Sequence, residues 1–170
     1  LSIPASVALV IGSEQIISAL FGYGSFTENS VLNSSNALYY FGLGLPAFAL
    51  IKVFSTFFFA RHDTKTPFYI SLVSVLLNIL ISVYFFKDIG FIIIPIATTI
   101  SSWFNSIILF ICLKNKNLFD FNKTFFKQFT KIIFASIMMG IFFQYLILLF
   151  ENQLSYHYFF KSAYLLLCVL

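Results

Sequence analysis

Runs of about twenty mainly apolar residues, separated by short polar breaks, decide what this chain can fold into, because each such run crosses a bilayer as a helix. Five or six stretches meet or nearly meet the requirement: 1–21, 37–60, 67–86, 91–113, 129–150 and one starting near 158. Apolar residues make up 60% of the sequence and charged ones 9%, more hydrocarbon than a soluble core uses. The expected fold class is all-α: a polytopic membrane helix bundle of about six transmembrane helices. The sequence opens at Leu1 inside one apolar run and stops at Leu170 inside another, YLLLCVL, so it reads as an internal fragment. The first run has neither the basic flank nor the small-residue cleavage site of a signal peptide.

That first run is interrupted by Gly12, Ser13, Glu14 and Gln15. Ser13 is expected to cap a short second helix at the membrane interface, leaving Glu14 as an exposed first-turn carboxylate. Thr27 followed by Glu28 marks the next helix start. Orientation follows from the basic residues of the short loops. Arg61 and Lys65 mark the second loop, and Lys114, Lys116, Lys123, Lys127 and Lys131 the fourth, whereas the first and fifth carry none and the third has only Lys87 beside Asp88. Loops two and four are therefore expected on the cytoplasmic side. In the stretch 114–131, Lys123, Lys127 and Lys131 share one helical face; it reads as a topology signal or as an amphipathic link along the inner leaflet.

Lys52 stands alone in the apolar run that ends at Arg61, nine residues later. That separation is about 13 Å along a helix, roughly twice what a lysine spans by snorkelling. An ammonium near mid-bilayer costs about 2.5 to 3.5 kcal/mol on insertion scales, so such a lysine faces a watery cavity or an anion, or pairs with a neighbouring helix. Both readings stand on the sequence alone. Leu45-Pro46, flanked by Gly42 and Gly44, can kink this helix, as a packing feature or beside a binding cavity.

The turn Ala60-Arg61-His62-Asp63-Thr64-Lys65-Thr66-Pro67 has its own mechanics. Arg61 suits a helix C-terminus, Thr66 is expected to cap the following helix with Pro67 at its first position, and Asp63 to lock the turn through backbone amides or a basic neighbour. A hinge holding two helices as one unit is the expected role. Asn78 and Ser82 are one helical turn apart, and Thr98, Thr99 and Asn105 lie on the following helix. Interhelical hydrogen bonding is the common use of such residues in membranes, and Trp103 and Asn105 read as packing or interface residues. Cys112 and Cys168 are isolated in apolar runs and read as small hydrophobes. His62 and His157 have no metal or acid/base spacing. Asp63, Asp88, Asp120 and Glu151 are scattered over separate loops, which argues against an integral-membrane transferase.

The strings LSIPASVALVIG, FGYGSFTENS and GLPAFALIKVFSTFFFARHDTKTP, in this order, resemble the MurJ/MviN lipid II flippases of the multidrug/oligosaccharidyl-lipid/polysaccharide exporter superfamily. The shared pattern is an LP-containing helix, an F-x-x-G-x-F-T turn, a G-L-P-x-F-x-x-x-K helix and an A-R-x-D-T-x-T-P loop. The resemblance implies helices nine to fourteen of a fourteen-helix flippase: residues 1–113 as second-lobe transmembrane helices, 114–131 as a basic cytoplasmic linker and 132–170 as a truncated C-terminal helix pair. It further implies a multi-pass protein of the bacterial cytoplasmic (inner) membrane that moves the lipid-linked peptidoglycan precursor from the inner to the outer leaflet by alternating access, making and breaking no bond. An exporter of the same superfamily for other lipid-linked oligosaccharides or amphipathic solutes is the alternative. Lys52 would face the substrate cavity, and Arg61, Asp63, Thr64, Lys65, Thr66 and Pro67 would form the cytoplasmic hinge motif. Asn78, Ser82 and Thr98 fall on positions where some members hold a cation, which makes them a candidate sodium site; Ser82 stands where a carboxylate would strengthen it. No cofactor is implied, a sodium ion or the membrane potential being the candidate driving forces. Membrane lipids and cell-wall synthesis proteins are the implied partners, and nucleic acid is not.

Overall fold

The computed structural model describes residues 2–22, 27–116 and 123–149. The helix expected near residue 158, with Glu151, His157 and Cys168, lies outside them. The described residues form α1 (Ser2–Ile11), α2 (Ser13–Phe21), α3 (Glu28–Phe59), α4 (Lys65–Ile89), a 3-10 turn at Gly90–Ile92, α5 (Ile93–Asn115) and α6 (Lys123–Leu149).

Among the described residues, three helical runs are long and apolar enough to cross a membrane, Glu28–Phe59, Lys65–Asn115 and Lys127–Leu149, and the bent pair Ser2–Ile11 and Ser13–Phe21 makes a fourth if taken as one span. The middle run holds 51 residues, more than twice the ~20 that a bilayer takes, and it doubles back. Gly90 has φ +73° and ψ −146°, a conformation closed to residues with a Cβ. From this turn α5 returns along α4, with Asn78 of α4 bonded to Thr98 of α5 and Asn105 of α5 to Ser71 of α4. Both pairs are centred on Asp88, the register of an antiparallel hairpin. The chain is thus an all-α polytopic membrane-helix bundle.

The first apolar run bends by 75° between α1 and α2. Ser13 does not cap α2 as expected: Gly12 occupies the cap position without a side-chain bond, and Ser13 is the first helical residue. Glu14 is exposed. Thr27 does cap α3, its hydroxyl accepting from the Ser30 amide at 3.3 Å. That helix starts nine residues before the apolar stretch that announced it, because polar residues 28–36 continue it beyond what hydropathy marks. Lys123, Lys127 and Lys131 belong to the start of α6, one continuous helix of 27 residues.

The packing is polar inside and apolar outside, as lipid demands. Serines 6, 18, 35, 74, 101, 102, 106 and 136 and Asn105 are buried, while Leu72, Val75, Leu76, Leu80 and Val83 of α4 are exposed. Larger side chains gather in clusters, Phe54 and Phe58 of α3 against Leu109 and Leu113 of α5, and Phe143 and Ile147 of α6 beside Ile11 of α1. Parallel α3 and α5 form the centre, α4 closes the hairpin beside α5, α1 packs on α3, and α6 packs on α1.

Candidate functional site

Lys52 lies on the face of α3 turned away from α5. Ala47, Phe54 and Phe58 point inward, whereas Phe48, Lys52 and Thr56, one turn apart, are all exposed. The Lys52 side chain has no ion pair or hydrogen bond among the described residues. Its own backbone carbonyl takes a weak bond from the Thr56 hydroxyl at 3.3 Å.

Six residues earlier, Pro46 sits inside α3. Lacking an N–H, it leaves the Gly42 carbonyl without a helical donor. The buried Ser6 hydroxyl of α1 donates to that carbonyl at 2.7 Å. On the other side, Thr99 of α5 donates to the Tyr40 carbonyl at 2.7 Å and the Trp103 indole N–H to the Leu43 carbonyl at 3.2 Å. Glycines permit this approach. A Cβ at Gly42 would meet Val10 Cγ2 at 3.2 Å and Leu9 Cβ at 3.3 Å; one at Gly44 would meet Thr99 Oγ1 at 3.0 Å. Two residues apart, the glycines face nearly opposite sides of the helix, one toward α1 and one toward α5. The sequence marked Pro46 as a kink and read Trp103 as packing; Ser6 went unnoticed. The GLGLP spacing was the signal that existed, and it did not name the donors.

On the inner face of the α4–α5 hairpin, Asn78, Ser82 and Thr98 are brought together. The Ser82 hydroxyl donates to Asn78 Oδ1 at 3.2 Å, Asn78 Nδ2 to Thr98 Oγ1 at 3.2 Å, and the Thr98 hydroxyl to the Ile94 carbonyl at 2.8 Å. A heptad away the pairing recurs with its members exchanged, Asn105 Nδ2 donating to Ser71 Oγ at 3.4 Å. There the amide oxygen, buried, has no partner among the described residues.

At the end of α3 the chain makes a Schellman turn. The Asp63 amide donates to the Phe58 carbonyl at 3.1 Å and the His62 amide to the Phe59 carbonyl at 3.0 Å, the six-to-one and five-to-two bonds of that motif. His62 takes the left-handed position that glycine usually fills, with φ 58°. Thr66 is not the cap of α4; Thr64 holds that position without a side-chain bond, and Asp63, one residue earlier, supplies the capping bonds. The Asp63 carboxylate accepts from the Thr66 amide at 3.1 Å and from its hydroxyl at 2.8 Å, and Pro67 is the third helical residue, buried. The basic neighbour is Lys116, past the end of α5, whose ammonium lies 2.6 Å from Asp63 Oδ2 and 5.4 Å from the centre of the Phe58 ring. Lys116 first, then Thr66, hold the Asp63 carboxyl at about 2, below its ordinary 3.8. The ion pair brings the second and fourth loops to one side of the bundle, in line with the side their basic residues assign them. Arg61, Thr64 and Lys65 are exposed around it.

Comparison with known proteins follows the same lines. A family profile described as "Lipid II flippase MurJ" matches residues 1–165. A probable lipid II flippase MurJ of Rhizobium meliloti is 39% identical over 113 residues, covering 66% of this chain and 21% of the relative. Its counterpart in Thermotoga maritima is 35% identical over 140 residues, covering 82% of this chain and 28% of the relative. A solved structure titled "Lipid II flippase MurJ, inward closed conformation" superposes with a TM-score of 0.77 at 26% identity, covering 99% of this chain and 33% of the other. The chain spans about a quarter of the length of the curated relatives it matches.

Proposed function

The chain belongs to the MurJ lipid II flippase family, and we propose that this protein takes part in moving the lipid-linked peptidoglycan precursor from the inner to the outer leaflet of the bacterial cytoplasmic membrane. The observation that carries the reading beyond family membership is Lys52. A cation on an uncovered face of an apolar helix needs water, an anion or more protein beside it, and a pyrophosphate leaving water needs a compensating cation. Lys52 is the cavity residue of this proposal, and transport proceeds by alternating access without bond-making. The bundle takes the part of helices nine to fourteen of a fourteen-helix protein, with 1–113 in the second lobe, 114–131 as the basic cytoplasmic link and 132–170 as the final helix pair.

The hinge motif has a mechanical task in this reading. Asp63, bonded to Thr66 and Lys116, ties the ends of α3 and α5 to the start of α4, so the three helices move as one body. Sodium binding at Asn78, Ser82 and Thr98 belongs to the same proposal, since hard cations take oxygen ligands of this kind. Binding would exchange the Ser82–Asn78 and Asn78–Thr98 hydrogen bonds for contacts to the ion. In Asn78→Ala, sodium dependence of transport should disappear; dependence that persists removes the site.

The decisive experiment uses the full-length gene in cells depleted of their own flippase, with exposure of lipid II on the outer leaflet as the readout. Restoration by the parent and by Lys52→Arg, together with loss in Lys52→Ala at equal membrane expression, is the expected outcome. Equal loss of folded protein in both variants would reduce Lys52 to a packing role. Failure of the well-expressed parent would shift the substrate to another lipid-linked saccharide.

A further inference from the structure

We infer that Ser6, Thr99 and Trp103 are positioning residues for Lys52, acting through the backbone of α3 around Pro46. The inference rests on the transport reading only for its consequence, because the geometry stands by itself. α3 is continuous from Glu28 to Phe59, but Pro46 removes one rung of its hydrogen-bond ladder six residues before Lys52. A carbonyl freed in lipid has no water to turn to; Gly42 is the one Pro46 frees, and it and two neighbouring carbonyls are met by side chains from other helices. Thr99 takes Tyr40, Trp103 takes Leu43 and Ser6 takes Gly42.

α5 serves both sides of that rung. Its first half bonds the carbonyls of 40 and 43, and its second half packs Leu109 and Leu113 against Phe54 and Phe58. One neighbour fastened on both sides of the missing rung fixes the direction of residues 47–59 relative to those before Pro46. Ser6 adds α1 from the opposite side, at the carbonyl that Pro46 itself frees. Lys52 follows Pro46 by about one and two-thirds turns, so an altered break swings its ammonium about the axis and along the depth of the helix. Hydroxyl and indole donors are thereby tied to the location of a charge they do not touch.

The experiment separates position from substrate. In the full-length protein with all its native cysteines replaced, Cys112 and Cys168 among them, Lys52→Cys provides a thiol whose labelling by a charged, water-soluble maleimide reports access from water at that point. Adding Ser6→Ala or Thr99→Val, both nearly isosteric, or Trp103→Phe, which removes the N–H with its five-membered ring, should change the labelling rate about five-fold, the scale of one lost hydrogen bond. The protein amount and unfolding temperature should stay close to the parent's. Pro46→Ala supplies the cross-check. It gives Gly42 a helical donor, so Ser6→Ala should then have little further effect, a coupling read by the double-mutant cycle. An unchanged labelling rate in all three variants, or a Ser6→Ala effect of equal size with and without Pro46, overturns the inference. If labelling shifts as expected while Lys52→Ala transports normally, the positioning stands and the role given to Lys52 in transport falls.

Discussion

The backbone of α3 loses its regular partners in two places, at Pro46 inside the membrane span and at residues 60–63 where the helix ends, and the two are repaired differently. At the end the repair is local. The Phe58 and Phe59 carbonyls are taken by amides within the next five residues, and the Asp63 carboxylate caps the helix that follows three residues on. At Pro46 the freed Gly42 carbonyl takes its donor from Ser6, 36 residues away, and the nearby Tyr40 and Leu43 carbonyls take added donors from Thr99 and Trp103, 59 and 60 residues away. Water explains the contrast. An exposed turn can leave some carbonyls to solvent, so short-range bonds suffice, whereas a break in hydrocarbon must be closed by protein. A membrane kink is therefore a tertiary junction, and a membrane turn is nearly a secondary one.

If that is right, damage near Pro46 should exceed damage at the turn. Gly42→Val places two methyl groups where a single Cβ already meets Val10 and Leu9 at 3.2 to 3.3 Å. Overpacking of this kind costs about 1 to 3 kcal/mol, and it would also part Ser6 from its carbonyl; detergent unfolding of the purified full-length protein should show the loss, and a neutral result would mean that α1 is free to shift. Trp103→Phe keeps most of the ring and removes the N–H. Hydrogen bonds between membrane helices average about 0.6 kcal/mol, so the same assay should show a smaller decrease. His62→Gly goes the other way. A left-handed non-glycine residue carries about 1 kcal/mol of strain or more, partly offset by the greater freedom of glycine in the unfolded chain, so the variant should be stable to within several tenths of a kcal/mol above the parent. A marked loss would show that the imidazole has a task beyond filling the turn.

What the sequence made legible follows the same division. Long apolar runs, the Thr27 start and the charged turn after α3 could be read because each depends on neighbours in sequence. The finer assignments inside them fared less well. Thr66 looked like the cap because threonine favours that position, yet α4 begins before it and the Thr66 amide itself donates to Asp63, whose charge Lys116 reinforces. Ser13 looked like a cap because serine commonly is, yet the 75° bend at Gly12 places the helix start one residue earlier. Residues 28–36 were too polar to be included in a span, though the helix they begin runs straight on into one. Asn78 and Thr98 were named from the spacing of polar residues and from resemblance, and the hairpin brings them into hydrogen-bond contact. Ser6 could not be named, since one serine in an apolar helix says nothing of the carbonyl it will meet. Lys52 was conspicuous for the opposite reason: its cost is local, so it stands out before any fold is known.

The smallest effect belongs to the Asp63–Lys116 pair, and its pH dependence tells whether the turn is held by charge or by shape. Lys116 is about half exposed, at 48% of its side chain, and exposed ion pairs contribute little because water and salt screen them. The Asp63 carboxyl titrates at about 2 in the folded protein, against an ordinary 3.8. A depressed carboxyl stabilises the fold fully above its unfolded value, and that contribution is lost as pH falls through the folded one. The gap in unfolding temperature between the parent and Asp63→Asn should therefore be constant from neutral pH down to about 4, close toward pH 2, and narrow in high salt. A gap that survives acid would instead assign the turn to the two hydrogen bonds with Thr66, which a neutral carboxyl or an amide oxygen can still accept. The turn would then resemble the proline break in one respect, being held by bonds that carry no net charge.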